Sequence, residues 1–437
     1  MADVTNLGTG GSTLDARYGS TSGADTNDPR HLPHTGSNYV YLPGVATNVL
    51  TVPAAGTTWP DDGLDVSVRV AMDDWTPAAD GVLVGRYGST TADGHFYFLV
   101  RTSGTLQLVW RNDAETVVTA TSTAAPTVTD GSPLWVRVVL NLNDGGVYTV
   151  KFYTAADSAS VPSSWTQLGN TVSGATATSL LSGGAASLVV GARGTGSTSN
   201  ATGIFHRAIV KNGIDGTTVL DVDTSVITSG AATSFTATTG QTVTINRGAS
   251  GRKTVAVTAP CWLFGTDDYL EVPDDPLLDF AAGESFTVLV AHRARATFGT
   301  SDALAAKKAD TTAATQGWAL TAGSSTAART QLQVGDGAAG ATAVSGSRTS
   351  GAVSVVAGVR DTTADTLTVY LNGTAGTPVT DTTTSSSANA EVLRIGRLSG
   401  AGTEYADMEL MAAAVWRRAL TAAEISALSA YFATRWP

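Results

Sequence analysis

The sequence predicts an all-β chain built from two tandem antiparallel β-sandwiches and closed by one short C-terminal helix. Three observations carry the prediction. Short runs of Val, Ile, Leu and aromatic residues alternate with polar ones at the period of two that a strand facing a core requires. Forty-seven glycines, with many Thr and Ser residues, break these runs as turns do. One order of strands occurs twice along 437 residues, a length too great for a single ordinary core.

Residues 1–34 are polar, rich in Gly, Ser and Thr, and punctuated by Asp28-Pro29 and Leu32-Pro33. They are expected to form an extended N-terminal arm or a disordered leader, or an arm that docks on a partner subunit. The first sandwich is expected over 35–250. Tyr39–Pro43 opens it. In Asp65–Met72 the residues Val66, Val68, Val70 and Met72 face in, while Ser67, Arg69 and Ala71 face out. Gly81–Arg86, Phe96–Arg101 and Thr105–Trp110 follow. Trp135–Leu142 alternates again, and Asn143-Asp144-Gly145-Gly146 turns it into Val147–Tyr153. Ser187–Arg193 and Gly203–Val210 come next. Val219–Asp223 and Ser234–Asn246 are expected to close the domain as a hairpin, before a linker at Arg247–Lys253.

The second sandwich, over 255–437, repeats that order. Tyr269–Pro273 matches Tyr39–Pro43, Ser285–His292 matches Val66–Met72, and Val353–Arg360 matches Trp135–Leu142. Thr366–Gly373 follows a turn at Asp361–Asp365, and Glu391–Arg397 matches Ser187–Arg193. The spacing is far too long for a solenoid repeat and marks a duplicated domain. Met408–Trp416 is the last strand. The helix after it is signed at its start: Thr421 and Glu424 have capping-box spacing, and Leu420 and Ile425 stand where a hydrophobic staple would place them. Ile425, Leu428 and Phe432 then share one face.

The order Ile395-Gly396-Arg397, Met408-Glu409-Leu410-Met411, Arg418-Ala419-Leu420-Thr421-Ala422-Ala423-Glu424-Ile425 resembles the end of laminin-G-like domains, where a helix packs on the sandwich edge. With Leu367-Thr368-Val369-Tyr370-Leu371-Asn372-Gly373, it makes both domains look like laminin-G-like, concanavalin A-like jelly rolls. Tandem domains of this kind, Ala/Gly/Val/Asp-rich and carrying the segment Ser234–Asn246, resemble minor tail proteins of phages of actinobacteria. That resemblance implies a virion structural protein assembled in the host cytoplasm. Its partners would be other virion proteins and a host-surface glycan, and it would be a homo-oligomer. The alternatives are a capsid decoration or minor capsid protein that binds only virion subunits, and a secreted-type carbohydrate-binding module.

Charge and composition narrow the field. A net charge of −11, with no Lys/Arg cluster, argues against nucleic-acid binding. No apolar run reaches the roughly 18 residues of a membrane span. Met1–Gly8 has no basic or apolar leader character, so a cytoplasmic origin is expected. Cys261, the single cysteine, excludes an internal disulfide and is expected to be a small buried apolar side chain.

Catalytic signals are missing. Among concanavalin A-like folds, glycoside hydrolases use Glu-x-Asp-x-Glu on one strand. The glutamates here, Glu115, Glu271, Glu284, Glu391, Glu404, Glu409 and Glu424, do not have that spacing. No nucleophile elbow, zinc-helix motif or phosphate loop occurs. No enzyme activity and no catalytic residue are therefore expected. The resemblance implies Ca²⁺ as the one metal to consider, with Asp73-Asp74, Asp267-Asp268 and Asp274-Asp275 as adjacent loop acids. His31 and His34 share the arm, whereas His95, His206 and His292 are scattered. Trp75, Trp110, Trp165 and Trp318 are the tryptophans placed to stack on a sugar ring or to plug a core.

Overall fold

A computed structural model describes residues 17–18, 30–33, 37–54, 59–88, 94–181, 183–248, 253–265, 268–295, 298–299, 302–322, 329–348, 351–398 and 405–436. It divides into two compact units. One is His34–Thr258; the other joins Met1–Pro33 to Ala259–Pro437.

In the unit His34–Thr258 two antiparallel sheets enclose one core. The first runs, edge to edge, Thr166–Gln167, Val147–Ala155, Leu134–Asp144, Leu64–Met72, Thr202–Asn212, Tyr39–Pro43, Val255–Val257. The second runs Ser234–Thr236, Thr242–Ile245, Leu50–Val52, Leu188–Val190, Gly81–Tyr87, Gly94–Val100, Leu106–Arg111, Val117–Thr121. The inward set of the central strand is Leu64, Val66, Val68, Val70 and Met72, as its alternation predicts, and each joins the core with Phe98, Trp110 and Phe152. Removing such side chains from water contributes about 1.5–3 kcal/mol apiece. The turn between Leu134–Asp144 and Val147–Ala155 needs two residues of positive φ, and Gly145 (67°) and Gly146 (99°) supply them without a Cβ clash.

The other unit repeats this plan. One sheet runs Arg17–Tyr18, Leu270–Val272, Leu393–Ile395, Asp302–Lys308, Gly317–Ala322, Arg329–Gly335, Gly340–Ser347. Its partner runs Arg30–Leu32, Cys261–Leu263, Met408–Trp416, Phe286–Ala294, Val353–Asp361, Thr366–Leu371, Thr374–Ala375. The repeat reaches single hydrogen bonds. Gly191 N–H donates to Leu83 O and Gly191 O accepts from Ala201, just as Gly396 N–H donates to Leu304 O and Gly396 O accepts from Ala406.

Four local features differ from the sequence reading. Arg17–Tyr18 and Arg30–Leu32, from the stretch expected as an arm, are edge strands on Leu270–Val272 and Cys261–Leu263. Val255–Val257, expected in the second domain, pairs with Tyr39–Pro43 of the first unit. Thr217–Asp223 joins one sheet and the hairpin Ser234–Thr236/Thr242–Ile245 the other, so they do not form one closing hairpin. The helix Ala422–Arg435 lies on a sheet face and not on an edge. Leu420 and Ile425 pack on Leu289, Ala291, Val355, Ala357 and Val359, the outward residues of two central strands. That face is apolar and would otherwise meet water, so the helix covers it. The capping box of Thr421 and Glu424 forms as predicted.

Candidate functional site

Most of the side chains singled out in the sequence are engaged inside the protein. Trp75 and Trp110 are buried in the first core and Trp318 in the second, where its Nε1–H donates to Leu278 O at 3.2 Å. They are core residues. Trp165 is half-buried, edge-on to Trp135 (ring centroids 6.1 Å apart) with the Arg137 guanidinium 5.4 Å from its ring. Cys261 is buried and burial pushes its thiol up, with the Glu409 carboxylate adding to the shift. His31 packs at 4.6 Å on Trp262, and His95 Nδ1 contacts Leu181 O. His34, Asp267 and Glu404 lie outside the described residues.

The acid pairs hold loops. Asp73 accepts from Tyr41 OH at 2.9 Å, and Asp74 from the Thr76 amide and hydroxyl. Asp268 accepts from the Gly265 amide and Asp275 caps the short helix Pro276–Leu278. Asp274 and Asp279 converge with Asn389 O on the Lys307 ammonium, at 2.8, 2.7 and 2.6 Å. A cation of the protein's own thus neutralises that convergence. Among the described residues no group of three His, Cys, Asp or Glu is placed to hold a metal ion. Glu271, Glu284, Glu409 and Glu424 are each bound to an arginine, Arg394, Arg417, Arg293 and Arg418 respectively.

One cluster is not closed in this way, and the sequence reading missed it. It lies on the outward face of the second sheet of the N-terminal unit. Phe96 and Trp110 point into the core. Their strand neighbours Tyr97 and Arg111 therefore point out, as does Tyr87 on the adjoining strand. Tyr97 lies across Gly85, where a Cβ would come within 2.6 Å of the Tyr97 Cβ; only glycine lets the ring settle there. Tyr87 and Tyr97 meet edge to face, centroids 5.0 Å apart at 88°. Arg193 follows the strand Leu188–Val190 in a tight turn, its amide donating to Thr198 O.

Both guanidiniums stack on these rings. Arg111 is 5.2 Å from the Tyr87 centroid and its Nε–H donates to Tyr87 OH at 3.1 Å. Arg193 is 5.7 Å from Tyr87 and 5.5 Å from Tyr97, with one long bond from Nη1 to Tyr97 OH at 3.5 Å. Arg111 also donates to Glu115 O. All four side chains are half-buried. Among the described residues no carboxylate forms an ion pair with Arg111 or Arg193, whereas Arg69, Arg137, Arg207, Arg293, Arg295, Arg360, Arg394, Arg417 and Arg418 all have one. A guanidinium carries five donors, so several at this face are open. Stacking fixes their direction without neutralising their charge. In the other unit the corresponding sheet carries Ala303, Ala306, Ala319 and Leu398, and beside them a stack of its own: Tyr269 and Tyr405 with Arg394 and Arg397 against their rings. There Arg394 is paired with Glu271 at 2.9 Å.

Residues 264–426 match the family model Laminin_G_3, described as the concanavalin A-like lectin/glucanases superfamily. Among solved structures the chain is similar to the binding domain of Paraclostridial Mosquitocidal Protein 1, at 14% identity and a TM-score of 0.33, over 40% of this chain and 44% of that one. It thus spans under half the length of that structure. It is also similar to the mouse laminin alpha1 chain, domains LG4-5, at 12% identity and TM-score 0.30, over 91% of this chain and 96% of that one. The Limulus polyphemus SAP-like pentraxin matches at 17% identity and TM-score 0.27, over 48% of this chain and 95% of that one. No curated protein matches the chain. By its sheets and by that family model, this is an all-β protein of antiparallel sandwiches with a C-terminal helix, and its residues 264–426 form a laminin-G-like, concanavalin A-like domain.

Proposed function

We propose that this chain is a non-catalytic virion protein of a phage, a minor tail protein, whose N-terminal sandwich contacts a glycan of the host surface. The observation that carries the contact is the face of Tyr87, Tyr97, Arg111 and Arg193: aromatic surface for a sugar ring, beside guanidinium donors that no carboxylate among the described residues occupies. Aromatic rings with a polar tip are suited to ligands that are apolar on one face and hydroxylated at the rim. The non-catalytic reading is supported by Glu271, Glu284, Glu409 and Glu424, each bound to an arginine of its own and not paired with one another across a site. The tail assignment rests on the resemblance of the tandem domains and of Ser234–Asn246 to minor tail proteins.

The test is binding of the purified chain to cell-wall polysaccharide of the phage's host, read by biolayer interferometry. The double variant Tyr87→Ala, Tyr97→Ala is expected to bind roughly tenfold or more weakly, as loss of a central aromatic pair does at other interfaces. Unchanged binding by a variant that unfolds at the wild-type temperature would remove this face from the account.

A further inference from the structure

We propose that the sugar this face takes is acidic: an oligosaccharide carrying carboxylated residues. The inference rests on the glycan-contact reading and deepens it. A half-buried guanidinium with no counter-ion is costly, because burial removes water that nothing charged replaces. Several arginines among the described residues avoid that cost. Arg137 has Asp65 and Asp215, Arg207 has Asp221 and Asp223, and Arg360 has Asp381. Arg86 shows a second way, with the carbonyls of Ala186, Gly183 and Gly184 accepting from its guanidinium. Arg111 and Arg193 receive neither treatment in full. Two cations flank one phenol ring, Tyr87, in a protein whose net charge is −11.

The carboxylates near in sequence do not close the pair. Glu115 gives Arg111 its backbone oxygen, and the Asp113 amide is held by Ser179. Neither side chain forms an ion pair with a guanidinium of the cluster. A planar carboxylate accepts two parallel N–H bonds from one guanidinium, a geometry that hydroxyl groups of a neutral sugar do not reproduce. The stacked rings hold both forks in place before a ligand arrives, so little ordering accompanies binding. The uronic or ulosonic carboxylate would sit against Arg111 and Arg193, with the ring carbons of the same sugar on Tyr97.

The experiment uses the full chain and immobilised oligosaccharides of galacturonic, glucuronic and N-acetylneuraminic acid, each beside its carboxyl-reduced neutral counterpart. At least one acidic member is expected to bind roughly tenfold or more tightly than its neutral partner, the range of one charge-assisted pair. Arg193→Gln and Arg111→Gln should each shrink that ratio, and the double variant should erase it while weak binding to the neutral member survives. Arg193→Lys should restore it only in part, because an ammonium lacks the planar fork. Equal binding within every pair, or preference for the neutral members, would overturn the acidic assignment and leave the contact reading standing. Binding to no member, acidic or neutral, would count against both.

Discussion

The guanidinium of Arg137 is closed on every side. Asp65 and Asp215 hold its nitrogens at 2.7 and 2.6 Å, and Tyr153 and Trp165 pack on it at 5.6 and 5.4 Å. Arg193 carries the same charge and the same kind of stack without the acids. Their substitutions should therefore separate. Arg137→Ala strands the buried Asp65 carboxylate and is expected to lower stability by about 3–5 kcal/mol in denaturant unfolding. Arg193→Gln should change it by about 0.5 kcal/mol or less. The reverse order would mean that Arg193 is structural and the open face an illusion. A second residue sets a pH dependence. Burial, and then the charge of Arg348, lowers the His292 imidazole to about 3. The fold holds it neutral while the unfolded chain takes up a proton near 6.5, so its contribution is whole above pH 6.5 and is lost as pH falls toward 3. Between pH 7 and 5 this histidine should account for about 2 kcal/mol of lost stability. His206, lowered to about 4 by burial and by Arg69, acts in the same direction. His292→Leu should flatten the slope in that window, where most carboxylates stay ionised. An unchanged slope would show that His292 is not buried neutral.

At the scale of elements, what could be read from the sequence followed the physics of each strand. Leu64–Met72 and Leu134–Asp144 have one face in the core, so their alternation is visible. Ala422–Arg435 announces itself through its cap. Asp302–Lys308, Gly317–Ala322, Arg329–Gly335 and Gly340–Ser347 are absent from the strands expected above. The first two are buried on both faces, and Asp302–Lys308, Gly317–Ala322 and Gly340–Ser347 lean on Ala and Gly, so neither periodicity nor β-branched composition marks those three; Arg329–Gly335 does alternate, through Leu332 and Val334. Arg30–Leu32 has three residues and no period to detect; only its partner strand defines it. The open face was hidden for a related reason. Alternation could have turned Tyr97 and Arg111 outward. Nothing local says that Arg193, more than eighty positions away, comes to lie on the same rings. The edge strands give a prediction of their own. Leu32 is fully buried against a strand of the C-terminal unit, so Leu32→Ala should cost that unit roughly 2–3 kcal/mol. Removing residues 1–33 should leave Cys261–Leu263 as an unprotected edge and promote aggregation, seen by light scattering. An untouched unfolding transition in both variants would show that the edge strand contributes nothing to the unit.

Taken whole, the molecule is one domain plan used twice with different surfaces. On the central strands of one sheet, the C-terminal unit has an apolar outward face under its helix. The N-terminal unit has ion pairs there instead, Arg137 with Asp65 and Arg207 with Asp221. On the other sheet both units stack tyrosines with arginines, but Arg394 of the C-terminal unit is paired with Glu271, whereas Arg111 and Arg193 of the N-terminal unit form no ion pair among the described residues. A duplicated scaffold whose copies diverge at the surface, with cores alike in kind, suits a protein that presents contacts. Among the described residues no helix is long and apolar enough to cross a membrane. The central claim, a tail protein that meets the host surface, is tested most directly by immunogold labelling of intact particles of the encoding phage with antibody to this chain. The account predicts gold at the tail tip. Gold over the head would contradict it and assign the sandwiches to the capsid lattice, and particles without gold would remove the virion assignment altogether.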